Sequence, residues 1–117
     1  MSKVVLIIDD QPDTLRALSL WLQLRGHTVH MAANGELGVA LANAVRPDVV
    51  LCDLGLPDID GFTVAGRLRH LQPLPVLAAL TGYGDAADRA RSKAAGFTRH
   101  FVKPADLNEV LALIEAA

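Results

Sequence analysis

Apolar positions along this chain follow two patterns that alternate. Short, nearly unbroken apolar runs are typical of strands covered on both faces, and apolar residues three or four positions apart are typical of helices. The predicted strands are residues 4–8, 28–31, 49–52, 76–80 and 100–102. A helical stretch follows each of them, so the pattern predicts five β–α units.

Turn and capping residues delimit the helical stretches. Pro12 is suited to the first turn of a helix, and Gly26 to the end of the same helix. The other helices are predicted from 34–35 to the residue before Pro47, over 62–71, over 85–95 up to Gly96, and from Asp106, which forms a capping-box-like start with Glu109.

Alternating strands and helices with short connections predict a parallel sheet, because each crossover helix must pack back over the sheet in a right-handed sense. The expected fold is α/β, a three-layer α/β/α sandwich with a five-stranded parallel sheet and five helices. No linker, low-complexity stretch or shift in composition interrupts the chain, so residues 1–117 are expected to form a single domain.

Composition excludes several classes of function. The 117 residues are 51% hydrophobic and 21% charged, which suits one buried core. The formal net charge is −2 with scattered Lys and Arg, so no direct nucleic-acid binding is expected. The apolar run 4–8 is too short for a signal or membrane segment. The lone Cys52 cannot form an internal disulfide, which favours a reducing compartment, so a cytoplasmic location is expected.

Polar residues follow four of the predicted strands. Asp9 and Asp10 come after the first strand, Asp53 after the third, Thr81 after the fourth and Lys103 after the fifth. Ligands of parallel α/β sheets bind at the carboxyl ends of the strands. Three acids, a hydroxyl and an ammonium group are therefore expected to converge there.

Such a cluster suits magnesium and phosphoryl chemistry. Crowded carboxylates repel one another unless a cation or a raised pKa relieves them, and Mg²⁺ prefers a set of oxygen ligands free of Cys and His. A carboxylate can also attack phosphorus, and Asp53 is the candidate nucleophile. Lys103 and Thr81 would then contact oxygens of the transferred group.

The ordered combination of these motifs is more specific than any one of them. Residues 7–10 (IIDD), 53–61 (DLGLPDIDG), 80–82 (LTG) and 102–104 (VKP) together resemble bacterial response-regulator receiver domains, over essentially the whole chain. The resemblance implies a flavodoxin-like, doubly wound fold with strand order 2-1-3-4-5. It also implies a phosphorylation-dependent signalling switch of a two-component system or phosphorelay.

The resemblance also implies roles for individual residues. A histidine kinase or histidine phosphotransfer protein would donate the phosphoryl group to Asp53. Asp10 would bind Mg²⁺ directly and Asp9 mainly through water, with Asp53 and the Gly55 carbonyl completing the protein ligands. The domain would catalyse its own phosphorylation and dephosphorylation without being a conventional metabolic enzyme. A downstream protein would bind the face formed by the fourth helix, last strand and last helix.

Two features depart from the family pattern. His100 occupies the position where the family usually has Tyr or Phe, so it is a switch candidate together with Thr81. The coupling is then expected to be weaker, pH-sensitive or carried by another residue, and a partly exposed strand-end histidine without a switch role is the equal alternative. Gly55 offers no side chain to shield the phosphoryl group from water, although Tyr83 is placed to cover part of the approach.

Simpler interpretations exist for each residue taken singly. Asp9 and Asp10 could merely cap the first helix, and Asp53 could be a turn residue. Cys52 is expected to be a small buried hydrophobe. Residues 58–61 are interpreted as a turn plus a helix cap, since the liganding pattern of a calcium loop is missing.

Two other functions remain open. The first is a receiver-like module that binds proteins without appreciable phosphorylation, and His100 is its only sign. The second is a small phosphohydrolase or phosphotransferase, which would need a cap or insertion to enclose its substrate, and no predicted loop is long enough.

Overall fold

The computed structural model of the chain describes residues 2–82 and 86–117, in which strands and helices alternate as predicted. The strands are β1 (Val4–Ile8), β2 (Thr28–Ala32), β3 (Val49–Asp53), β4 (Val76–Thr81) and β5 (Arg99–Val102). The helices are α1 (Pro12–Leu24), α2 (Gly35–Val45), α3 (Gly61–Arg67), α4 (Ala86–Ala95) and α5 (Leu107–Ala116). Tyr83 and the predicted helix start at Asp85 lie outside the described residues.

The strands form one parallel sheet with the order β2–β1–β3–β4–β5. The predicted fold class and strand order are therefore confirmed. The register pairs Ile8 with Cys52 and Asp53 with Leu80, so neighbouring strands end at nearly the same level. The residues that follow these ends are consequently brought to one edge of the sheet.

Successive side chains on a strand point to opposite faces of the sheet, so β1 contributes to two separate clusters. Helices cover both faces and bury them. Leu6 and Ile8 of β1 belong to a core cluster that includes residues of α2 and α3, against which α4 packs. Val5 and Ile7 belong to a second cluster that includes residues of α1 and α5. All five residues of β3 are buried, as expected for the central strand.

Most predicted boundaries are correct to within one residue, but the end of the third helix is wrong. The helix predicted over 62–71 ends at Arg67, and Leu68 and Leu71 lie beyond it in a turn where the Leu71 N–H donates to the Leu68 carbonyl. Both leucines are buried in that turn. Leu68 and Leu71 are apolar residues three positions apart, as in a helix. The sequence pattern therefore does not distinguish this turn from a continuing helix.

Helix ends use the predicted capping residues. Gly26 and Gly96 follow α1 and α4 with φ angles of 89° and 110°, a region that favours glycine. The Asp106 carboxylate accepts hydrogen bonds from Asn108 N–H and Glu109 N–H at the start of α5. In the described residues, no helix has the length and apolar character needed to cross a membrane.

Gly61 allows α3 to begin directly beneath the end of β3. Its N–H donates to the Leu54 carbonyl at 3.0 Å. A Cβ at this position would lie 2.6 Å from the Asp53 carbonyl oxygen and 2.8 Å from Leu54 Cα. These are backbone atoms that cannot rotate away, so only glycine permits this approach.

We therefore expect Gly61→Ala to lower the free energy of unfolding by about 2 kcal/mol, the typical cost of overpacking. Gly66→Ala in the same helix is the matched control, since a Cβ there meets nothing within 4 Å. It should raise the stability by up to about 1 kcal/mol through helix propensity. Urea denaturation measures both, and equal effects of the two substitutions would contradict the proposed close approach.

Candidate functional site

Three carboxylates lie together at the carboxyl edge of the sheet. Asp9 and Asp10 follow β1 directly, and Asp53 is the last residue of β3. One ligand atom from each of the three lies within 4.8 Å of the others. The adjacent strands β1 and β3 thus bring together acids that are more than forty residues apart in the sequence.

Lys103 is the cation of this cluster. Its Nζ lies 2.7 Å from Asp9 Oδ2, 3.0 Å from Asp53 Oδ2 and 3.4 Å from Gln11 Oε1. Burial alone would lower the pKa of Lys103, but the hydrogen bonds to Asp9 and Asp53, together with the negative charges of these two carboxylates, outweigh burial and raise the pKa. The ammonium group therefore stays charged and bridges two of the three carboxylates.

Asp9 is the most enclosed of the acids, with no exposed surface. Its Oδ1 accepts a hydrogen bond from Gln11 N–H at 2.9 Å. Burial nevertheless raises the pKa of Asp9 above its ordinary value, against the opposing effect of the Lys103 and Gln11 hydrogen bonds. The fold therefore holds this carboxylate where its charged form is disfavoured.

Asp53 is held from two sides. Its Oδ1 accepts a hydrogen bond from Gly55 N–H at 2.9 Å, and its Oδ2 contacts the ammonium of Lys103. The side chain is buried but keeps a small accessible surface, whereas Asp10 is exposed. The Asp53 carboxylate is therefore fixed in orientation and still reachable from solvent.

Thr81 ends β4 beside the cluster and is also buried. Its carbonyl oxygen accepts a hydrogen bond from Lys103 N–H at 2.7 Å, which joins the ends of the last two strands. The peptide bond between Lys103 and Pro104 is cis. A backbone hydrogen bond thus holds Thr81 and Lys103 next to each other.

The donor set fits a magnesium ion. Three carboxylates share one ammonium group, so negative charge remains in excess, and the ligand atoms are oxygens, as Mg²⁺ prefers. Burial raises the pKa of the neighbouring Cys52 thiol far above neutrality, and its Sγ lies 3.3 Å from the Asp53 carbonyl oxygen. A protonated thiol is a poor metal ligand, so Cys52 is a buried hydrophobe here.

Gln11 is a contact of the site that the sequence did not single out. It is the N-cap residue of α1, but its side chain accepts no hydrogen bond from the helix backbone. Its Oε1 accepts from the Thr14 hydroxyl at 3.3 Å and lies 3.4 Å from Lys103 Nζ. The sequence signal for it was weak, namely a polar residue between the acidic pair and Pro12. The simple capping interpretation of Asp9 is partly right, because its carboxylate accepts the Gln11 N–H.

His100 lies away from the carboxylates. It pairs in register with Ala79, whereas Thr81 pairs with Val102. Its half-buried side chain lines a cavity of about 510 Å³ between α4 and β5, together with Arg89, Ser92, Lys93, Gly96, Phe97, Thr98 and Arg99. The structure therefore places His100 beside α4, two residues before the level of Thr81 along the strand.

Comparison with known proteins agrees with this geometry. Residues 5–115 match the family described as response regulator receiver domain. The chain is 40% identical over 114 residues to the transcriptional regulatory protein KdpE of Mycobacterium tuberculosis, covering 97% of this chain and 50% of that protein. It is 39% identical over 115 residues to the DNA-binding dual master transcriptional regulator RpaA of Synechocystis, covering 96% and 47%.

Solved structures show the same fold. A CheY-like receiver domain protein from Methanospirillum hungatei superposes with a TM-score of 0.91 at 27% identity, covering 99% of this chain and 93% of that one. The chemotaxis response regulator CheY4 of Vibrio cholerae gives 0.90 at 27% identity, covering 99% and 98%. The chain spans about half the length of the curated relatives it matches, and nearly all of these two structures.

The raised pKa of Asp9 predicts the effect of Asp9→Asn in metal-free protein. An acid with a raised pKa binds more protons when folded, so its ionised form destabilises the fold as pH rises above the ordinary value of 3.8. Asp9→Asn should therefore raise the free energy of unfolding at pH 7 in EDTA, and this advantage should disappear near pH 3.8.

Urea denaturation at both pH values measures this difference. Asp13→Asn, in the exposed first turn of α1, is the control and should not show the same gain. A lower stability of Asp9→Asn at pH 7 would mean that the Lys103 ion pair outweighs the cost of burying the carboxylate.

Proposed function

This chain belongs to the response regulator receiver domain family, whose members are phosphorylation-dependent switches of two-component systems, and we propose that Asp53 is its phosphoryl acceptor. One observation carries this proposal. The Asp53 carboxylate is oriented by Gly55 N–H and by Lys103 Nζ and remains accessible at the end of the central strand.

The arrangement supports transfer from a phosphohistidine donor. An Asp53 oxygen attacks phosphorus, the P–O bond forms, and the P–N bond to the donor imidazole breaks, with the electron pair leaving on the imidazole nitrogen. Lys103 carries a positive charge that would stabilise one phosphoryl oxygen, and the Thr81 hydroxyl would donate to another. Hydrolysis of the acyl phosphate then restores the free carboxylate.

Asp9, Asp10, Asp53 and the Gly55 carbonyl would hold a Mg²⁺ ion. When bound, the ion would supply positive charge that offsets the crowded carboxylates and the phosphoryl oxygens. Burial disfavours the charged form of Asp9, and a cation beside it would offset that cost. Asp10 is the next residue and is exposed, so it would be reachable for a metal ion from solvent.

The proposed partners follow from the family. A histidine kinase or a histidine phosphotransfer protein would donate the phosphoryl group, and a downstream protein would bind the face formed by α4, β5 and α5. The relatives KdpE and RpaA are transcriptional regulators, and this chain spans about half of their length. Family membership does not favour the phosphorylation-independent alternative.

The first test is intact-mass analysis after incubation with an acyl phosphate donor. Wild type should gain one phosphoryl group only when Mg²⁺ is present, and Asp53→Asn should gain none, because the amide is not a nucleophile. Asp13→Asn makes the same charge change at an exposed residue outside the cluster of three carboxylates and should behave as wild type. A phosphoryl adduct on Asp53→Asn at the wild-type level would refute Asp53 as the acceptor.

His100 is the proposed switch residue together with Thr81, and His100→Tyr tests this. The adjoining cavity of about 510 Å³ has room for the larger ring, so the protein should fold. Phosphoryl uptake should change little, whereas the chemical-shift response of α4 and α5 amides to phosphorylation should change clearly. An unaltered NMR response would leave His100 with a structural role only.

A further inference from the structure

Asp58 makes contacts that its exposed position does not suggest. It lies in the segment of residues 54–60 between β3 and α3, which we call the acceptor loop. Its Oδ1 accepts a hydrogen bond from Gly35 N–H and its Oδ2 from Glu36 N–H, both at 2.8 Å. One carboxylate thus binds two successive backbone groups of a helix more than twenty residues away.

These bonds complete the start of α2. The first N–H groups of a helix have no partner within the helix and need one from outside. Asn34, directly before the helix, caps it by accepting from Leu37 N–H at 2.8 Å. Asp58 accepts from the N–H groups of the two residues before Leu37. These hydrogen bonds, that from Glu36 first, lower the pKa of Asp58 to about 2, so it is ionised at neutral pH.

A close packing contact accompanies the hydrogen bonds. Ile59, the next residue of the acceptor loop, packs against Gly35 so tightly that a Cβ on Gly35 would overlap the Ile59 side chain and lie 3.1 Å from the Ile59 carbonyl oxygen. Two consecutive residues therefore hold the loop against the first turn of α2. The loop is anchored in its middle as well as at its ends.

The anchored loop contains a residue of the proposed site. Gly55 donates its N–H to Asp53, and its carbonyl is a proposed Mg²⁺ ligand. Leu54 N–H donates to the Leu80 carbonyl, and Gly61 N–H donates to the Leu54 carbonyl, so the loop is closed at its base. Between these ends, the Asp58 carboxylate ties the loop to the start of α2.

We propose that Asp58 is a positioning residue: by binding the Gly35 and Glu36 N–H groups, it holds the acceptor loop so that Gly55 stays aligned with Asp53. This inference rests on the proposed function of that site. It assigns α2 a part in phosphorylation, since the first turn of that helix holds the loop.

Asp58→Ala and Asn34→Ala form a matched pair for the test. Each removes a cap from α2, but only Asp58 belongs to the acceptor loop. Both should lower the melting temperature. In a Mg²⁺ titration by calorimetry, Asp58→Ala should weaken binding by about tenfold, the lower end for a residue that orients a ligand. Asn34→Ala should bind Mg²⁺ as wild type does.

A second measurement needs no metal. Exchange of the Gly55 amide with water, followed by NMR in EDTA, should become faster in Asp58→Ala and stay unchanged in Asn34→Ala. Asp58→Asn keeps one acceptor oxygen and should give intermediate values for both measurements, which provides an answer even where the alanine variant fails to fold.

Equal Mg²⁺ affinity and equal Gly55 exchange in the Asp58 and Asn34 variants would overturn the proposal and leave Asp58 as a helix cap alone. Failure of the proposed function has a different signature. Wild type would then show neither Mg²⁺ binding nor phosphorylation, while the Gly55 exchange rates would still decide whether Asp58 positions the loop.

Discussion

The ammonium group of Lys103 is the interaction on which the rest of the site depends. The parallel sheet brings the ends of β1 and β3 together, and their acids would repel one another without a cation. Lys103 follows β5 and reaches across the end of β4 to Asp53 and farther to Asp9. One positive charge against three carboxylates leaves an excess of negative charge, so the fold retains an environment that favours a divalent cation.

Close backbone packing positions the acceptor within this field of charges. Gly61 lets α3 begin against the end of β3, and the loop above it is tied back to Asp53 through Gly55. Two residues of the loop join it to neighbouring helices. Asp58 binds the start of α2, while Asp60 caps α3 and lies 3.8 Å from Arg91 of α4. A change of charge at Asp53 would therefore act on a loop that contacts three helices.

Contacts around α4 extend from this loop toward the predicted output face. The Arg91 guanidinium also lies over the Phe62 ring, 4.0 Å from its centre, at the start of α3. On the other side of α4, His100 lines the cavity shared with β5. Exposed ion pairs contribute little stability, and such contacts can rearrange at low cost. This is the property expected where a phosphorylation signal must alter a surface.

The sequence by itself determined the alternation of strands and helices, the parallel sheet, and the positions of Asp9, Asp53, Thr81 and Lys103 at strand ends. These follow from hydrophobic periodicity and turn residues, which act over a few neighbouring positions; the motif resemblance added the strand order. Only the tertiary structure decided that α3 ends at Arg67, that Gln11 contacts Lys103, and that the Asp58 side chain caps the distant helix α2. Each of these depends on which distant segments meet in space, and no local pattern of side chains encodes that meeting.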